Sequence, residues 1–129
     1  MNIYLAARYS RHPEMRSVRD DLEGLGHVVT SRWIEGNHRV SESAPDKDSE
    51  ARRFGEEDVQ DLRAADVVIS FTEIPRSHNG AGGRHVEFGM AYALGLNIIV
   101  VGHRENVFHY LQEVAFYPTW EDVLRELKA

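Results

Sequence analysis

Two carboxylates sit where helical spacing calls for apolar side chains. Glu87 is the one acid in a segment that begins near Gly83 and runs through Val86, Phe88, Met90, Ala91, Tyr92, Ala93 and Leu94. It shares a face with Met90, Ala91 and Leu94, at offsets of 3, 4 and 7. Apolar residues on every face predict that this helix is buried at the centre of the fold. A Glu in a first turn can simply favour the positive end of the helix dipole, a gain of about 0.3–1 kcal/mol. A carboxylate turned toward a core is costly, however, unless something pairs with it or uses it. Asp58 is displaced in the same way, since Ala51, Phe54, Asp58, Leu62 and Ala65 fall at offsets 0, 3, 7, 11 and 14 on one stripe. The plainer alternative is a buried Asp hydrogen-bonded to a neighbouring loop. Asp61 and Asp66 carry less information, because both can face water at a helix end. Two inward carboxylates at the rim of a small-ligand site suit a nucleophile and a general acid, the arrangement used on glycosidic bonds. Spacing leaves the order of the roles open.

Asn79-Gly80-Ala81-Gly82-Gly83 precedes Glu87 and can expose backbone N–H groups and a helix N-terminus to an anion. It matches a dinucleotide fingerprint poorly, because His85 stands where the third glycine belongs. Arg84 beside it serves either a phosphate or solubility. Basic side chains also gather in Arg8-Tyr9-Ser10-Arg11-His12. Trp33 either stacks on a base or fills the core. Among the seven histidines no pair has the spacing and neighbouring Glu of a metallohydrolase, so no metal or other cofactor is expected. There is no cysteine, which removes thiolate chemistry and disulfides, and no G-x-S-x-G elbow.

These residues need elements to place them. Asn2 to Ala7 reads as a strand and Arg8 to Pro13 as a loop, after which Met15, Val18, Leu22 and Leu25 recur at helical spacing until Gly26. His27 to Trp33 is a second strand, and the polar stretch Glu35 to Glu50 is a long loop, functional or mobile, for which closure over a ligand is a fair hypothesis. A helix follows from Glu50 to Ala65, and then the unbroken apolar run Val67 to Phe71, suited to a strand buried on both faces. Asn97 to Val101 is another such strand. The rest gives a short helix near Val107 to Leu111, a weak edge strand at Val114 to Tyr117, and a helix from Trp120 to Leu127 capped by Thr119. Alternating strands and helices of this kind predict a single-domain, three-layer α/β fold over residues 1–129. A parallel sheet of about five strands, flavodoxin-like or Rossmann-like, carries helices on both faces. Ligands then bind at the carboxyl ends of the strands, here the loops after Ala7, Trp33, Thr72 and Val101.

Composition sets the class. With 129 residues, 42% hydrophobic and 28% charged, the chain is long enough for one packed core. A net charge of −6 argues against a polymeric nucleic-acid partner while permitting one small anion. No apolar run reaches a membrane span, and the start resembles a strand more than a signal peptide, so a cytoplasmic location with no membrane partner is expected.

The whole chain resembles the nucleoside 2-deoxyribosyltransferase family, including the 2'-deoxynucleoside 5'-monophosphate N-hydrolases. The likeness is carried by Ile3-Tyr4-Leu5-Ala6-Ala7, by the segment from Asp58 through Asp66 to Ile69, and most specifically by Gly82-Gly83-Arg84-His85-Val86-Glu87-Phe88-Gly89 and on to Gly95. The resemblance implies a small nucleoside or nucleotide as partner. Glu87 would attack C1' to form a glycosyl-enzyme, Asp58 would protonate the departing base, and the hydroxyl of Tyr4 would orient Glu87. Water as acceptor gives a hydrolase and a second base a transferase; a non-catalytic nucleotide-binding module is the alternative. Relatives tend to carry Asp or Ser six positions before the nucleophile, where this chain has Ala81. Ser77, Asn79 or Arg84 is then left to meet the 5' group, and Arg8, Arg11, Arg84 and His85 favour a phosphate there. Arg8, Trp33, Gly82, Gly83, Arg84 and Asn106 are the expected substrate contacts. Homo-oligomers in which a neighbouring subunit completes the site are also implied, with Asn106 and His109 as candidate contributors or as ordinary loop groups.

Overall fold

The computed structural model describes residues 1–77 and 80–129. Five parallel strands form one sheet in the order β2-β1-β3-β4-β5. They are β1 (Asn2–Ala6), β2 (Val28–Val29), β3 (Val67–Phe71), β4 (Asn97–Val101) and β5 (Val114–Tyr117). The central apolar run behaves as expected: every residue of β3 is buried, with β1 on one side (Tyr4 opposite Val68) and β4 on the other (Ile69 opposite Ile99).

Helices cover both faces. Helix α1 (His12–Gly24) buries Met15, Val18 and Leu22, the stripe read from the sequence, and the trace turns at Gly26, whose φ of 90° is a left-handed value. Helix α4 (Trp120–Lys128) lies beside it, with the Trp120 indole donating to Asp21 at 2.8 Å. Thr119 caps α4 as expected, its hydroxyl accepting from the Asp122 amide at 3.2 Å. On the other face α2 (Lys47–Arg63) packs against α3 (Gly83–Ala93), which itself lies on β1, β3 and β4. The result is the expected three-layer arrangement.

Several local expectations are corrected. The second strand is two residues long, because the chain leaves the sheet after Val29 and coils into a 3-10 turn at Arg32–Glu35. A carboxylate holds that turn: Asp61 accepts from the Arg32 amide at 2.9 Å and from its Nε at 3.0 Å. Asp61 is therefore buried, although its place near a helix end also permits exposure to water. Asp66 does face water, accepting from the Asn2 amide at 2.9 Å. The long loop is shorter than expected, since α2 already begins at Lys47. A 3-10 turn at Tyr9–Arg11 and the start of α1 at His12 occupy most of the expected first loop. Helix α3 is not buried on every face: Phe88 and Ala91 are inside, while Val86, Tyr92 and Leu94 are 62%, 43% and 49% exposed.

Candidate active site

Strand order reverses direction between β1 and β3, and the loops that follow these two strands part there to leave a crevice. A cavity of about 530 Å³ opens at this point, lined from the first loop by Arg8 and Tyr9, from α2 by Asp58, and from α3 by Arg84 and Glu87. Trp33 and the glycines Gly80, Gly82 and Gly83 also line it.

Each carboxylate is placed by its helix. Gly82, at φ 87°, turns the chain into α3 and puts Glu87 in the second turn, past the reach of a first-turn dipole role. Tyr4, fully buried in β1, points at the same face of the sheet and donates its hydroxyl to Glu87 Oε2. The two side chains that the resemblance pairs are therefore in contact. Burial pushes the Glu87 carboxyl up to about 8, with the nearby Asp58 charge adding to the rise and the Tyr4 hydrogen bond opposing it. The same burial and the Glu87 carboxylate hold the Tyr4 hydroxyl well above its ordinary value.

Asp58 comes from the α2 stripe. Phe54 and Leu62 on that stripe are buried as expected, although Ala51 at its start is exposed. Burial also lifts Asp58, to about 6, reinforced by Asp61 and Glu57 and opposed by Arg32. Its Oδ1 is buried without a hydrogen-bond partner and so does not match a structural Asp tied to a loop. Two acids with raised, unequal proton affinities on one cavity form a pair that can exchange acid and base roles.

The cations are more committed than their sequence positions imply. Arg11 is shared between Glu14 at 2.7 Å and Glu73 at 2.8 Å. Arg84 is buried, and its guanidinium is balanced by Glu105, with Nη2 donating to Oε2 at 2.8 Å. Arg8 stands 3.7 Å from Glu73 with its side chain 37% exposed. Trp33 is buried in the 3-10 turn, donating from Nε1 to the Leu5 carbonyl at 2.7 Å, so one ring edge is fixed while the residue still borders the cavity. Asn106 lies away from the cavity and caps the 3-10 turn Val107–Tyr110 by accepting from the Phe108 amide. His109 is buried and accepts from the Glu105 amide at 2.9 Å. Ser77 is exposed outside the cavity, and Asn79 lies outside the described residues.

Sequence reasoning missed His38, Arg39 and Phe54 as cavity residues. Phe54 carried a signal, being one helical turn before Asp58 on the same stripe. The others arrive through loop geometry that no periodicity encodes. Among the described residues no cluster of three or more His, Cys, Asp or Glu is arranged to hold a metal ion, and no helix is long and apolar enough to cross a membrane.

No protein-family model and no curated protein matches the chain. Its likeness is to solved structures. A 2-deoxyribosyltransferase from Bacillus psychrosaccharolyticus superposes with a TM-score of 0.72 at 21% identity, covering 96% of this chain and 90% of the other. A CMP N-glycosidase from Clostridium botulinum gives 0.62 at 22% identity, over 99% and 98%. A 2-desoxiribosyltransferase from Leishmania mexicana gives 0.69 at 17%, over 98% and 97%. The chain has the fold of these proteins along almost its whole length.

Proposed function

We propose that this chain is an enzyme that cleaves the N-glycosidic bond of a nucleoside or nucleoside 5'-monophosphate, using Glu87 as nucleophile and Asp58 as general acid. The observation that carries the reading is the Tyr4–Glu87 hydrogen bond facing Asp58 across one cavity. The fold shared with two deoxyribosyltransferases and an N-glycosidase supports it. A Glu87 oxygen bonds to C1' as the C1'–N bond breaks, and the electron pair leaves with the base, which takes the Asp58 proton. Water, or a second base, then gives a proton to Asp58 and displaces Glu87 from C1'. Tyr4 holds Glu87 so that one oxygen points at the sugar.

For the 5' end the reading favours a phosphate. Arg39 lines the cavity and makes no ion pair among the described residues, and Arg8 is only loosely held by Glu73. Together with the Gly82-Gly83 backbone they offer an anion site in place of the absent Ser or Asp at Ala81. A second copy of the chain is the proposed partner, through the exposed Val107, Phe108 and Tyr110 beside Asn106, 74%, 59% and 67% exposed.

The test is incubation with a panel of nucleosides and 5'-monophosphates, with and without a second free base, following base release by chromatography. Release in water indicates a hydrolase, and exchange only with added base a transferase. Glu87→Gln is expected to lower release by about a thousandfold or more, in the range found for removal of groups acting directly on the reacting atoms. Tight binding with no release from any substrate would make the chain a binding module instead.

A further inference from the structure

His38 is a deeply buried polar side chain on this cavity that nothing in the proposed chemistry employs. Its ring is 7% exposed and stacks on Phe54, centroids 4.5 Å apart at 28°. Its backbone amide donates to the Tyr9 hydroxyl at 3.2 Å, and its Nδ1 lies 2.8 Å from Asn37 Oδ1. Plane, backbone and one ring nitrogen are thus fixed. The other nitrogen, Nε2, sits 2.8 Å from Glu57 Oε2, close enough for an ion pair but off the axis of a hydrogen bond, and is left buried without a hydrogen-bond partner. Asp58 Oδ1 faces it at 3.9 Å in the same condition. Among the described residues these are the two buried side-chain atoms that lack hydrogen-bond partners. Burying such an atom unpaired is costly, so two side by side on a cavity wall call for a ligand group that completes them.

We infer that His38 Nε2 and Asp58 Oδ1 form a two-point clasp for the hydrogen-bonding edge of the leaving base, and that His38 selects which base is accepted. The identification of the ligand as a base rests on the N-glycosidic reading. Asn37 Oδ1 at 2.8 Å from Nδ1 and Glu57 Oε2 at 2.8 Å from Nε2 each favour a proton on the nitrogen they face, so the ring serves as a donor at both positions in its imidazolium form, and Asp58 acting as acid also brings a proton. The clasp therefore presents two donors. It fits a base with an unprotonated ring nitrogen beside a carbonyl oxygen: a 6-oxopurine through N7 and O6, or cytosine through N3 and O2. A 6-aminopurine sets an amino donor against the His38 donor, and uracil sets its N3–H against a donor. As the glycosidic bond breaks, charge moves onto these acceptor atoms, so the clasp also eases departure.

Calorimetric titration of the full chain at pH 5, where Asp58 keeps its proton, with free hypoxanthine and adenine tests the clasp, alongside the base-release panel. The wild type is expected to bind hypoxanthine about tenfold or more tightly than adenine, the scale of one mispaired buried donor. His38→Ala should bring the two within about twofold, and His38→Gln, which retains a donor, should restore part of the gap. Should His38→Ala fail to fold, His38→Phe keeps the stack on Phe54 without the nitrogen and gives the same comparison. A wild type with no preference, or a preference unchanged in His38→Ala, overturns the clasp. Base release whose selectivity ignores His38 leaves the glycosidase reading standing and removes the clasp. A His38-dependent base preference without release from any substrate does the reverse.

Discussion

The proton of the acid pair rests on the residue assigned as nucleophile. With Glu87 at about 8 and Asp58 at about 6, the form ready for attack, ionised at Glu87 and protonated at Asp58, is a minor one at neutral pH. Activity should trace a bell with limbs near 6 and 8. Asp58→Asn should abolish the falling limb and leave a single rise at or slightly below 8, read from kcat/KM against pH; a surviving fall near 8 would reverse the two roles. Stability carries the same signature. The folded state keeps the Glu87 proton up to about 8, while the unfolded chain loses it near the ordinary 4.5. Stability must fall as pH rises through that window, by up to a few kcal/mol. Asp58 acts in the same direction between 3.8 and about 6. Glu87→Gln should flatten the decline in melting temperature from pH 5 to pH 8, and an unchanged slope would mean that Glu87 is not the buried acid. The spacing of apolar residues made both acids legible. It gave no hint of their unequal proton affinities, which depend on what covers each carboxyl, nor of buried Asp61, whose partner Arg32 is supplied by a remote turn.

The elements that frame the cavity were legible where hydrophobic periodicity is long and opaque where side chains replace it. Helices α1 and α2 and strands β1, β3 and β4 follow their patterns to within a few residues. The 3-10 turn at Arg32–Glu35 does not, because the Arg32–Asp61 pair and the Trp33–Leu5 bond shape it. The turn ends at Gly36, whose φ of 87° suits glycine and whose Cβ position lies 2.8 Å from the His12 ring. A side chain there meets both backbone strain, about 1–3 kcal/mol, and a ring already engaged with Arg16. Gly36→Ala should lower unfolding free energy by about 1–3 kcal/mol in denaturant titration and raise KM, since the displaced backbone carries His38. Unaltered KM with lowered stability would detach the turn from ligand binding. The periodicity of α3 misled for a different reason: an apolar outer face reads as core whether a sheet or another molecule covers it.

At the scale of the whole molecule, the doubly wound order puts the two informative helices, α2 and α3, on the same face, which is why acids 29 positions apart in the chain share one cavity. That convergence was legible only as far as strand alternation implies a parallel sheet; the pairing of α2 with α3 was not. The 3-10 turn that exposes Val107, Phe108 and Tyr110 is seated on α3, since its His109 packs on Phe88 with centroids 5.1 Å apart. Sedimentation should therefore give a dimer or larger homo-oligomer, and Phe108→Asp should shift it toward monomer with little loss of unfolding free energy, because the side chain is already exposed. A wild-type monomer at all concentrations would leave the face without its proposed partner. Gly36 has one more consequence. It seats one end of residues 36–46 on His12, and the α2 terminus at Lys47 fixes the other, so the segment carrying His38 and Arg39 is bounded by anchors that belong to the scaffold. Under the proposed clasp, substitutions confined to this segment should change the base preference seen in the binding titration while Tyr4, Asp58 and Glu87 stay untouched.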